Sequence, residues 1–251
     1  MKIATWNIGG GFISKNNNLD FNEENLDYFV EEIKKINPDI ICLQETHTSK
    51  KTNQPKEIAK KLGYKYFRTK KVSDSHLKIN QKLSLAIISK FPITDSKIHK
   101  LPNPNMEFIW RNKKVMSHDK IIFETRIKYN DKIIKVFSGQ MSPFRKFGRD
   151  FLEDDFSNIR NKIEKIILKE KMPTIFCADM NFNGDIKKLL PNVFEKKFQA
   201  VLNNKPTTPK GRTYDKIIVS KEWTKLKSKI VVGKADHYLC VADLNLFYAH
   251  N

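Results

Sequence analysis

Six polar side chains in this sequence stand at or beside the ends of predicted strands, and their types suit chemistry on a phosphate group. Loops at strand ends are where a rigid sheet presents reactive side chains, so six such residues could converge on one site. Carboxylates, together with phosphate oxygens and water, are the ligands that a hard ion such as Mg²⁺ prefers. Any single member could equally be a turn former, so the inference depends on the whole set. Its members are Asn7, Glu45, Asp179, Asn181, Asp236 and His237.

The elements that must position these residues are strands, with helices and hairpins between them. Apolar runs bounded by turn residues predict strands at positions 2–8, 39–44, 83–89, 121–128, 133–138, 174–178, 214–220 and 239–247. Apolar residues at helical spacing predict helices at positions 22–36, 55–62 and 150–169. The stretch 97–119 contains Pro102 and Pro104 and has no clear period, so we expect an irregular loop there.

The organisation of the 251 residues indicates one α/β domain over positions 1–251, because no segment resembles a linker and no repeat stands out. Two packed sheets with helices outside fit this order of elements better than a doubly wound parallel sheet.

The composition excludes several classes of protein. No apolar run approaches the roughly 18 residues that a membrane span needs, and the first residues are typical of a strand rather than a signal peptide. Cys42, Cys177 and Cys240 lie in apolar runs without paired spacing, which argues against a disulfide framework or a zinc site. We therefore expect buried thiols, no membrane span and a cytoplasmic location.

The formal net charge of +19 indicates a polyanionic partner, either nucleic acid or an anionic membrane surface. The alternative is that the charge reflects coding bias, because 40 of the 47 basic residues are lysine and such a profile can arise from A/T-rich genes. Charge alone leaves both interpretations open.

Five short motifs occur in an order that resembles the endonuclease/exonuclease/phosphatase superfamily. A further stretch, LAIISKFPI at positions 85–93, resembles the strand and turn that this family has in the middle of its chain. The resemblance covers essentially the whole chain, and five ordered motifs are far more specific than any one of them. The motifs are TWNI at 5–8, LQE at 43–45, ADMN at 178–181, YDKI at 214–217 and DH at 236–237.

The resemblance implies a pancreatic-deoxyribonuclease-like fold, a four-layer α/β/β/α sandwich of two mostly antiparallel sheets packed face to face with helices outside. It also implies a hydrolase that cleaves a phosphate ester by in-line attack of water, with Mg²⁺, or Mn²⁺, as the cofactor. Glu45 is the best candidate ligand, and Asp236 lies nearby or binds the ion through water. Asn7 would hold the ion's water shell or the nucleophile by its amide.

The same resemblance assigns roles to the remaining motif residues. Asp179 would orient or deprotonate the attacking water, and Asn181 would position the water or the phosphate. His237, kept cationic by Asp215, would stabilise the negative charge that develops on the non-bridging oxygens. The alternative for Asp215 is a surface salt bridge with Lys216 or Arg212.

Gln140 departs from the family pattern. The family has a histidine at the end of the strand before the long helix, in a pattern like Gly-His-hydrophobic-Ser/Asp-Pro, whereas this chain reads GQMSP at 139–143. Glutamine keeps a hydrogen-bond donor for a phosphate oxygen but cannot deliver a proton. The substitution is either natural or an inactivating change, and a binding-only relative is therefore a second class of function to consider.

DNA is the expected substrate and partner of a monomeric nuclease, endo- or exonucleolytic. Arg145 and Arg149, just past Gln140, are well placed to bind a phosphate backbone, and Trp110 and Phe144 could stack on bases. Trp110 could instead anchor its loop. RNA, a 5′-linked adduct of the tyrosyl-DNA type and a small phosphate or lipid ester stay open as alternative substrates.

Overall fold

The structure is a computed structural model that describes residues 1–16, 19–110, 113–169, 171–202 and 205–247. The strands are β1 (Lys2–Asn7), β2 (Phe12–Ile13), β3 (Glu23–Glu24), β4 (Ile40–Thr48), β5 (Tyr66–Asp74), β6 (Lys82–Ser89), β7 (Ile93–Lys100), β8 (Glu107–Trp110), β9 (Lys113–Met116), β10 (Ile121–Tyr129), β11 (Lys132–Gln140), β12 (Thr174–Asp179), β13 (Gln199–Ala200), β14 (Asp215–Val219), β15 (Trp223–Val231) and β16 (Leu239–Leu246). The α-helices are α1 (Leu26–Ile36), α2 (Gln54–Leu62), α3 (Ser157–Leu168), α4 (Ile186–Leu189) and α5 (Pro191–Glu195).

Two six-stranded sheets form the frame, and both follow the same pattern of strand directions. The first has the order β15-β16-β1-β4-β6-β5 and the second the order β13-β14-β12-β11-β10-β7. One central pair in each sheet is parallel, β1 with β4 and β11 with β12, and the other neighbours are antiparallel. The two mostly antiparallel sheets expected from the sequence are therefore confirmed. Because parallel neighbours end at the same edge, each sheet brings two carboxyl-terminal strand ends together.

Apolar side chains fill the space between the sheets and cover both outer faces. Ile3 and Phe123 belong to the cluster between the two sheets. Helices α1 and α2 cover the first sheet, where Phe29 packs on Trp6 with ring centroids 4.7 Å apart. Helices α3, α4 and α5 cover the second sheet through a separate cluster that includes Ile163. These four layers confirm the α/β/β/α sandwich.

Several strands were not predicted from the sequence, and three of the longest lie at the edges of the two large sheets. The stretch 97–119 is not a loop throughout, since it contains the end of β7 and the hairpin of β8 and β9. Strands β5, β7 and β15 each pair on one side only, at the edges of the large sheets. An edge strand can carry lysines and needs fewer buried side chains, so its apolar pattern is weak.

Two predicted helices begin later than expected, for local reasons. Helix α1 begins at Leu26, because the Asn25 side chain accepts a hydrogen bond of 3.0 Å from Tyr28 N and caps the helix. The preceding Glu23–Glu24 pairs with Phe12–Ile13 as a short strand. Helix α3 likewise begins at Ser157, after a single 3₁₀ turn, rather than at position 150.

The expectations about cysteines and membrane spans can be checked against the same structure. All three cysteines are buried as free thiols. Among the described residues, no helix combines the length and the apolar character needed to cross a membrane.

Candidate active site

Strand ends from both sheets meet at one edge of the sandwich. Gln140, Asp179 and Asp215 stand side by side in register on the neighbouring strands β11, β12 and β14. Asn7 ends β1 in the other sheet, and its Nδ2 donates a hydrogen bond of 3.1 Å to Asp179 Oδ2. The topology therefore brings into one cluster residues that are up to 208 positions apart, between Asn7 and Asp215.

Glu45 reaches this cluster through an irregularity in its strand. The sequence predicted that this strand would end before Glu45. Strand β4 instead continues to Thr48, and its register with β6 shifts between Leu43 and Thr46. Glu45 lies in that shift with a φ of 52°, in the left-handed region that non-glycine residues rarely adopt. Such bulges re-aim a side chain, and here the Glu45 carboxylate accepts a hydrogen bond from Gln140 Nε2.

The Asp179 carboxylate is held by amide donors on several sides. Its Oδ2 accepts from Asn7, and Asn181 donates twice, from its backbone N to Oδ1 at 3.0 Å and from Nδ2 to Oδ2 at 3.2 Å. Asn181 adopts a φ of 48°, which folds its side chain back over the carboxylate. Burial of Asp179 raises its pKa, and the charge of His237 opposes that rise without cancelling it. The side chain is thus fixed in place with a basicity above that of an ordinary aspartate.

His237 and Asp215 form a buried ion pair that faces Asp179. His237 Nδ1 lies 2.8 Å from Asp215 Oδ2, and His237 Nε2 lies 3.9 Å from Asp179 Oδ2. Burial alone would lower the pKa of His237, but the charges of Asp215 and Asp179 outweigh it and hold the pKa well above its ordinary value. The imidazole is therefore cationic at neutral pH. Asp215 is only 1% exposed, which rules out the alternative of a surface salt bridge.

Asp236 presents a buried carboxylate oxygen toward the same cluster. Within the described chain, Asp236 Oδ1 has no hydrogen-bond partner, and a Cβ atom placed on Gly9 would lie 3.1 Å from it. Burial raises the pKa of Asp236 to about 6, with the charges of Glu45 and Asp179 adding to the rise and that of His237 opposing it. An unsatisfied buried carboxylate oxygen among other carboxylates is the arrangement that a bound cation would satisfy.

The donor set of the cluster fits a divalent cation. Asp179, Asp215 and His237 place ligand atoms within 4.8 Å of one another. A histidine binds a metal only in its neutral form, however, and His237 is held cationic by its partners. Glu45 and Asp236 are therefore the better ligand candidates, and both offer the oxygen atoms that Mg²⁺ prefers.

Gln140 connects the acidic cluster to a buried lysine. Its Nε2 donates to the Glu45 carboxylate and, at 3.4 Å, to Asp179 Oδ2, while its Oε1 accepts a hydrogen bond of 3.0 Å from Lys120 Nζ. An ammonium group can only donate and a carboxylate can only accept, so these partners fix which way the amide points. Gln140 is thus an ordered member of the site, with its NH₂ group on the acidic side.

Lys120, His76 and His118 lie around Glu45 and were not predicted from the sequence. Lys120 immediately precedes β10 and is only 8% exposed. The rings of His76 and His118 stack with centroids 6.0 Å apart, in two loops that are distant in sequence. Burial lowers the pKa of both histidines, so they stay neutral at pH 7. No local pattern marks these positions, because a lysine or histidine in a loop is most often a solvated side chain.

The predicted phosphate-binding arginines differ in their surroundings. Both border a groove of about 480 Å³ that extends from Asn181 past Arg145 to Arg149. Arg145 is exposed there. The Arg149 guanidinium is engaged by Glu153 and Asp155 within the chain. Arg145 is therefore the better placed of the two to meet an anionic ligand.

The two aromatic residues considered for base stacking have different outcomes. Phe144 is 1% exposed and stacks on Phe151 with centroids 4.2 Å apart, so the expectation that it contacts a base is wrong. Phe144 lies near the site in sequence, but its ring packs in the apolar cluster on the outer face of the second sheet. Trp110 ends β8, and its side chain lies outside the described part of the structure.

Gly9 offers a test of whether Asp236 helps to bind the cation. Gly9 and Gly63 have φ values of +48° and +74°, so alanine at either position should lower the free energy of unfolding by about 1–2 kcal/mol through backbone strain. The added Cβ meets Asp236 only at Gly9, since nothing lies within 4 Å of the one at Gly63. We expect Gly9→Ala, but not Gly63→Ala, to weaken Mg²⁺ binding about tenfold or more, because displaced ligands typically cost that much.

The free energy of unfolding would come from urea titrations and the Mg²⁺ affinity from calorimetry, with Gly63→Ala as the matched control. Equal Mg²⁺ affinities in the two variants would show that Asp236 does not take part in cation binding.

Comparisons with known proteins agree with this geometry. A family model described as the Endonuclease/Exonuclease/phosphatase family matches residues 4–237. No curated protein sequence matches the chain.

Several solved structures share the fold at low sequence identity. An endonuclease/exonuclease/phosphatase from Beutenbergia cavernae is 15% identical with a TM-score of 0.76, over 98% of this chain and 71% of that one. The catalytic domain of human nocturnin is 18% identical with a TM-score of 0.69, over 98% and 93% of the two chains. A mannosyl-6-phosphatase from Bacteroides thetaiotaomicron is 13% identical with a TM-score of 0.64, over 98% and 100%.

Proposed function

The chain belongs to the endonuclease/exonuclease/phosphatase family, whose members are hydrolases of phosphoester bonds, and from this premise we propose that it is a Mg²⁺-dependent phosphodiesterase that cleaves DNA. The observation that carries the proposal is the line of side chains Asp215, His237 and Asp179. A cationic imidazole, held by one buried carboxylate, faces a second carboxylate of raised basicity across 3.9 Å. An acid and a base therefore lie next to each other, beside the candidate cation ligands Glu45 and Asp236.

Hydrolysis needs a base for the attacking water, and Asp179 fits that role. Its pKa is raised by burial, which makes it a better proton acceptor than an exposed aspartate. Asn7 and Asn181 fix the carboxylate, so that the water is held in one orientation toward phosphorus. Asn7 would also order the water that surrounds a bound cation.

In-line attack places negative charge on the non-bridging oxygens, and His237 is the group that meets it. Its positive charge is maintained by Asp215, so no proton need be gained during the reaction for stabilisation to occur. Glu45 and Asp236 would hold the cation, which supplies further positive charge to the phosphate. Intact partners at each of these positions favour an enzyme over a binding-only relative.

DNA is the substrate best supported by the surface. The net charge of +19 attracts a polyanion, and the groove between Asn181 and Arg145 gives a phosphate backbone a path away from the reacting centre. RNA is an alternative that the sequence leaves open, and the structural neighbours include a mannosyl-6-phosphatase, so RNA and a small sugar phosphate must be compared directly.

The deciding experiment compares five substrates with Mg²⁺ and with EDTA. These are single-stranded DNA, duplex DNA, 5′-tyrosyl DNA, single-stranded RNA and mannose 6-phosphate. We expect Mg²⁺-dependent cleavage with the highest kcat/KM on one of the first two, and a His237→Ala variant controls for contaminating nucleases. Preference for RNA, the adduct or the sugar phosphate would reassign the substrate, and no hydrolysis of any of them would contradict an enzymatic role.

Salt dependence tests whether the positive charge captures DNA. Each phosphate neutralised by lysine or arginine releases bound counterions, so the logarithm of the association constant should fall with the logarithm of salt concentration, with a slope of about −0.9 per contact on duplex DNA. Arg145→Gln should reduce the magnitude of that slope by about one contact. Arg68→Gln is the control, since Arg68 is exposed on β5 at the far edge of the first sheet. Fluorescence anisotropy with labelled DNA gives both slopes, and a salt-independent affinity would mean that the charge is a product of coding bias.

A further inference from the structure

Lys120 is a buried cation one amide group away from the acidic cluster. Its Nζ lies 3.0 Å from Gln140 Oε1, and the same amide donates to Glu45 and Asp179 through Nε2. Lysine is rarely buried to 8% exposure without a role that offsets its desolvation. In the described part of the chain, Lys120 makes one hydrogen bond, to a neutral amide, and the charges of Glu45 and Asp179 do not fully offset its burial. A further anionic partner would stabilise the buried charge.

The charges around Lys120 also favour an anionic ligand beside it. The cluster holds four carboxylates, and the charges of His237 and Lys120 each act on more than one of them. Lys216 is also buried, and Asp215 is the member of the cluster whose charge acts on it. With every group ionised, the four carboxylates still outnumber these three cations, which favours a bound cation. A phosphate that enters this centre must then meet positive charge on both sides of phosphorus. His237 supplies it on the side of β16, and Lys120 lies across the site beside β11.

The hydrogen-bonding capacity of the side chain completes the argument. An ammonium group has three donors, of which one is directed to Gln140 Oε1. The Gln140 amide bonds Nζ on one side and the Glu45 carboxylate on the other, so it lies between them. Glu45 and Asp179 are nevertheless close enough for their charges to raise the pKa of Lys120, against the larger lowering that burial causes.

We propose that Lys120 binds a non-bridging oxygen of the scissile phosphate beside Gln140, so that it is a catalytic residue of this chain. The inference rests on the proposed phosphodiesterase function and adds a residue to it. Gln140 contributes a neutral donor, and Lys120 contributes the positive charge that glutamine lacks.

The test separates the charge of Lys120 from its hydrogen bond. Lys120→Gln can still donate to Gln140 Oε1 but carries no charge, whereas Lys120→Arg keeps the charge. Lys135→Gln is the matched control, because Lys135 is 1% exposed on the same strand as Gln140 but packs at 5.5 Å over the Phe137 ring. Two quantities are measured with Mg²⁺ present: the dissociation constant of inorganic phosphate by calorimetry, and kcat/KM on bis(p-nitrophenyl) phosphate.

Loss of one charged donor at a phosphate typically costs about 10²-fold in rate, so we expect Lys120→Gln to lower kcat/KM by that factor and to weaken phosphate binding about tenfold. Lys120→Arg should keep both quantities within about fivefold of the wild-type values, because the positive charge is retained. Lys135→Gln should do the same, because the charge that it removes lies away from Gln140. Wild-type values in Lys120→Gln would overturn the proposal, because the hydrogen bond alone would then explain the buried lysine.

A second measurement uses the unaltered protein, in case Lys120→Gln does not fold. Acetic anhydride labels lysine amines, and mass spectrometry reports the labelling rate at each position. Inorganic phosphate should slow labelling of Lys120 at least about fivefold while leaving Lys135 unchanged, since a bound anion blocks the amine. Equal labelling with and without phosphate would overturn the proposal.

The outcomes also distinguish this inference from the proposed function. If phosphate binding depends on Lys120 but the wild-type protein cleaves no phosphoester, the phosphate site stands and the hydrolytic function fails. If the wild-type protein cleaves DNA and Lys120→Gln cleaves it equally well, the function stands and the role of Lys120 fails.

Discussion

Replacement of His237 with alanine is expected to lower the rate of phosphodiester cleavage by about 10³-fold, the usual magnitude for a charged group that stabilises developing negative charge. His237 is the buried cation that faces Asp179, and its Nε2 lies 3.9 Å from that carboxylate. Binding of DNA should change little, because capture depends on many surface contacts. Single-turnover cleavage with Mg²⁺ measures the chemical step directly.

The partner of His237 should behave as part of the same unit. Asp215 contacts His237 Nδ1 at 2.8 Å and acts through the charge and orientation of the ring. Asp215→Asn should therefore lose much of the rate, and the double variant should lose no more than His237→Ala alone. Additive losses would contradict this arrangement.

A second histidine–carboxylate pair, on the sheet that contains Asp215, provides the matched control. His99 Nε2 lies 2.6 Å from Glu124 Oε2, and both side chains are largely buried between β7 and β10. His99→Ala removes a similar pair outside the acidic cluster, so it should lower stability while leaving the cleavage rate within about threefold. A comparable rate loss in both variants would indicate a general loss of structure instead of a role for His237 in the reaction.

The residues that the sequence identified correctly as neighbours share one property. Asn7, Asp179 and Asp215 each adjoin a short apolar run, so the change from apolar to polar marks both the strand end and the candidate site. Strand ends on the same edge of two packed sheets must lie near one another, whichever loops connect them. The order of the five motifs along the chain also resembles the family, and that resemblance predicted that these residues form one site.

The placement of Glu45 shows a limit of local patterns. Its residue type predicted a ligand, but the strand was expected to end before it. Strand β4 instead continues to Thr48, and Glu45 adopts a positive φ within the register shift against β6. Intrinsic preferences disfavour that backbone conformation for glutamate, so tertiary pairing with β6 must impose it.

Lys120 shows a different limit. Its burial could not be predicted from the sequence, because a lysine before a strand is ordinarily solvated. Its burial follows from the pairing of β10 with β11, where Ile122 stands opposite Gly139 and brings Lys120 next to Gln140. The ion pairs of Arg149 with Glu153 and Asp155 likewise depend on how the loop after β11 folds. Such contacts are set by tertiary structure, which single-residue propensities do not encode.

The second large effect is expected at Glu45, the ligand candidate that reaches the cluster from the first sheet. Glu45→Gln keeps the size of the side chain and a carbonyl oxygen to accept from Gln140, but removes the negative charge that a divalent cation requires. We expect kcat/KM at low Mg²⁺ concentration to fall by about 10³-fold, since loss of the cation removes both substrate orientation and charge stabilisation. Activity should recover in part at high Mg²⁺ concentration, because the remaining ligands bind the ion weakly.

Thermal stability gives a measurement that does not depend on turnover. A ligand at 100 times its dissociation constant stabilises the native state by about 2.7 kcal/mol, so Mg²⁺ should raise the melting temperature of the wild-type protein. Glu45→Gln should abolish most of that rise. Glu164→Gln is the control, because Glu164 is buried and accepts hydrogen bonds from Asn192 and Val193 in the outer helices, far from the cluster. Its melting temperature should fall, yet its response to Mg²⁺ should match that of the wild-type protein.

The two readouts separate cation binding from other roles of Glu45. If Glu45→Gln loses activity but keeps the full thermal response to Mg²⁺, the carboxylate acts on the substrate or on Gln140, and Asp236 with Asp179 must hold the ion. If the wild-type protein retains full activity in excess EDTA, the reaction does not use a cation. In that case the charges of His237 and Lys120 alone would have to stabilise the transition state, and the raised pKa of Asp236 would reflect only its burial among like charges.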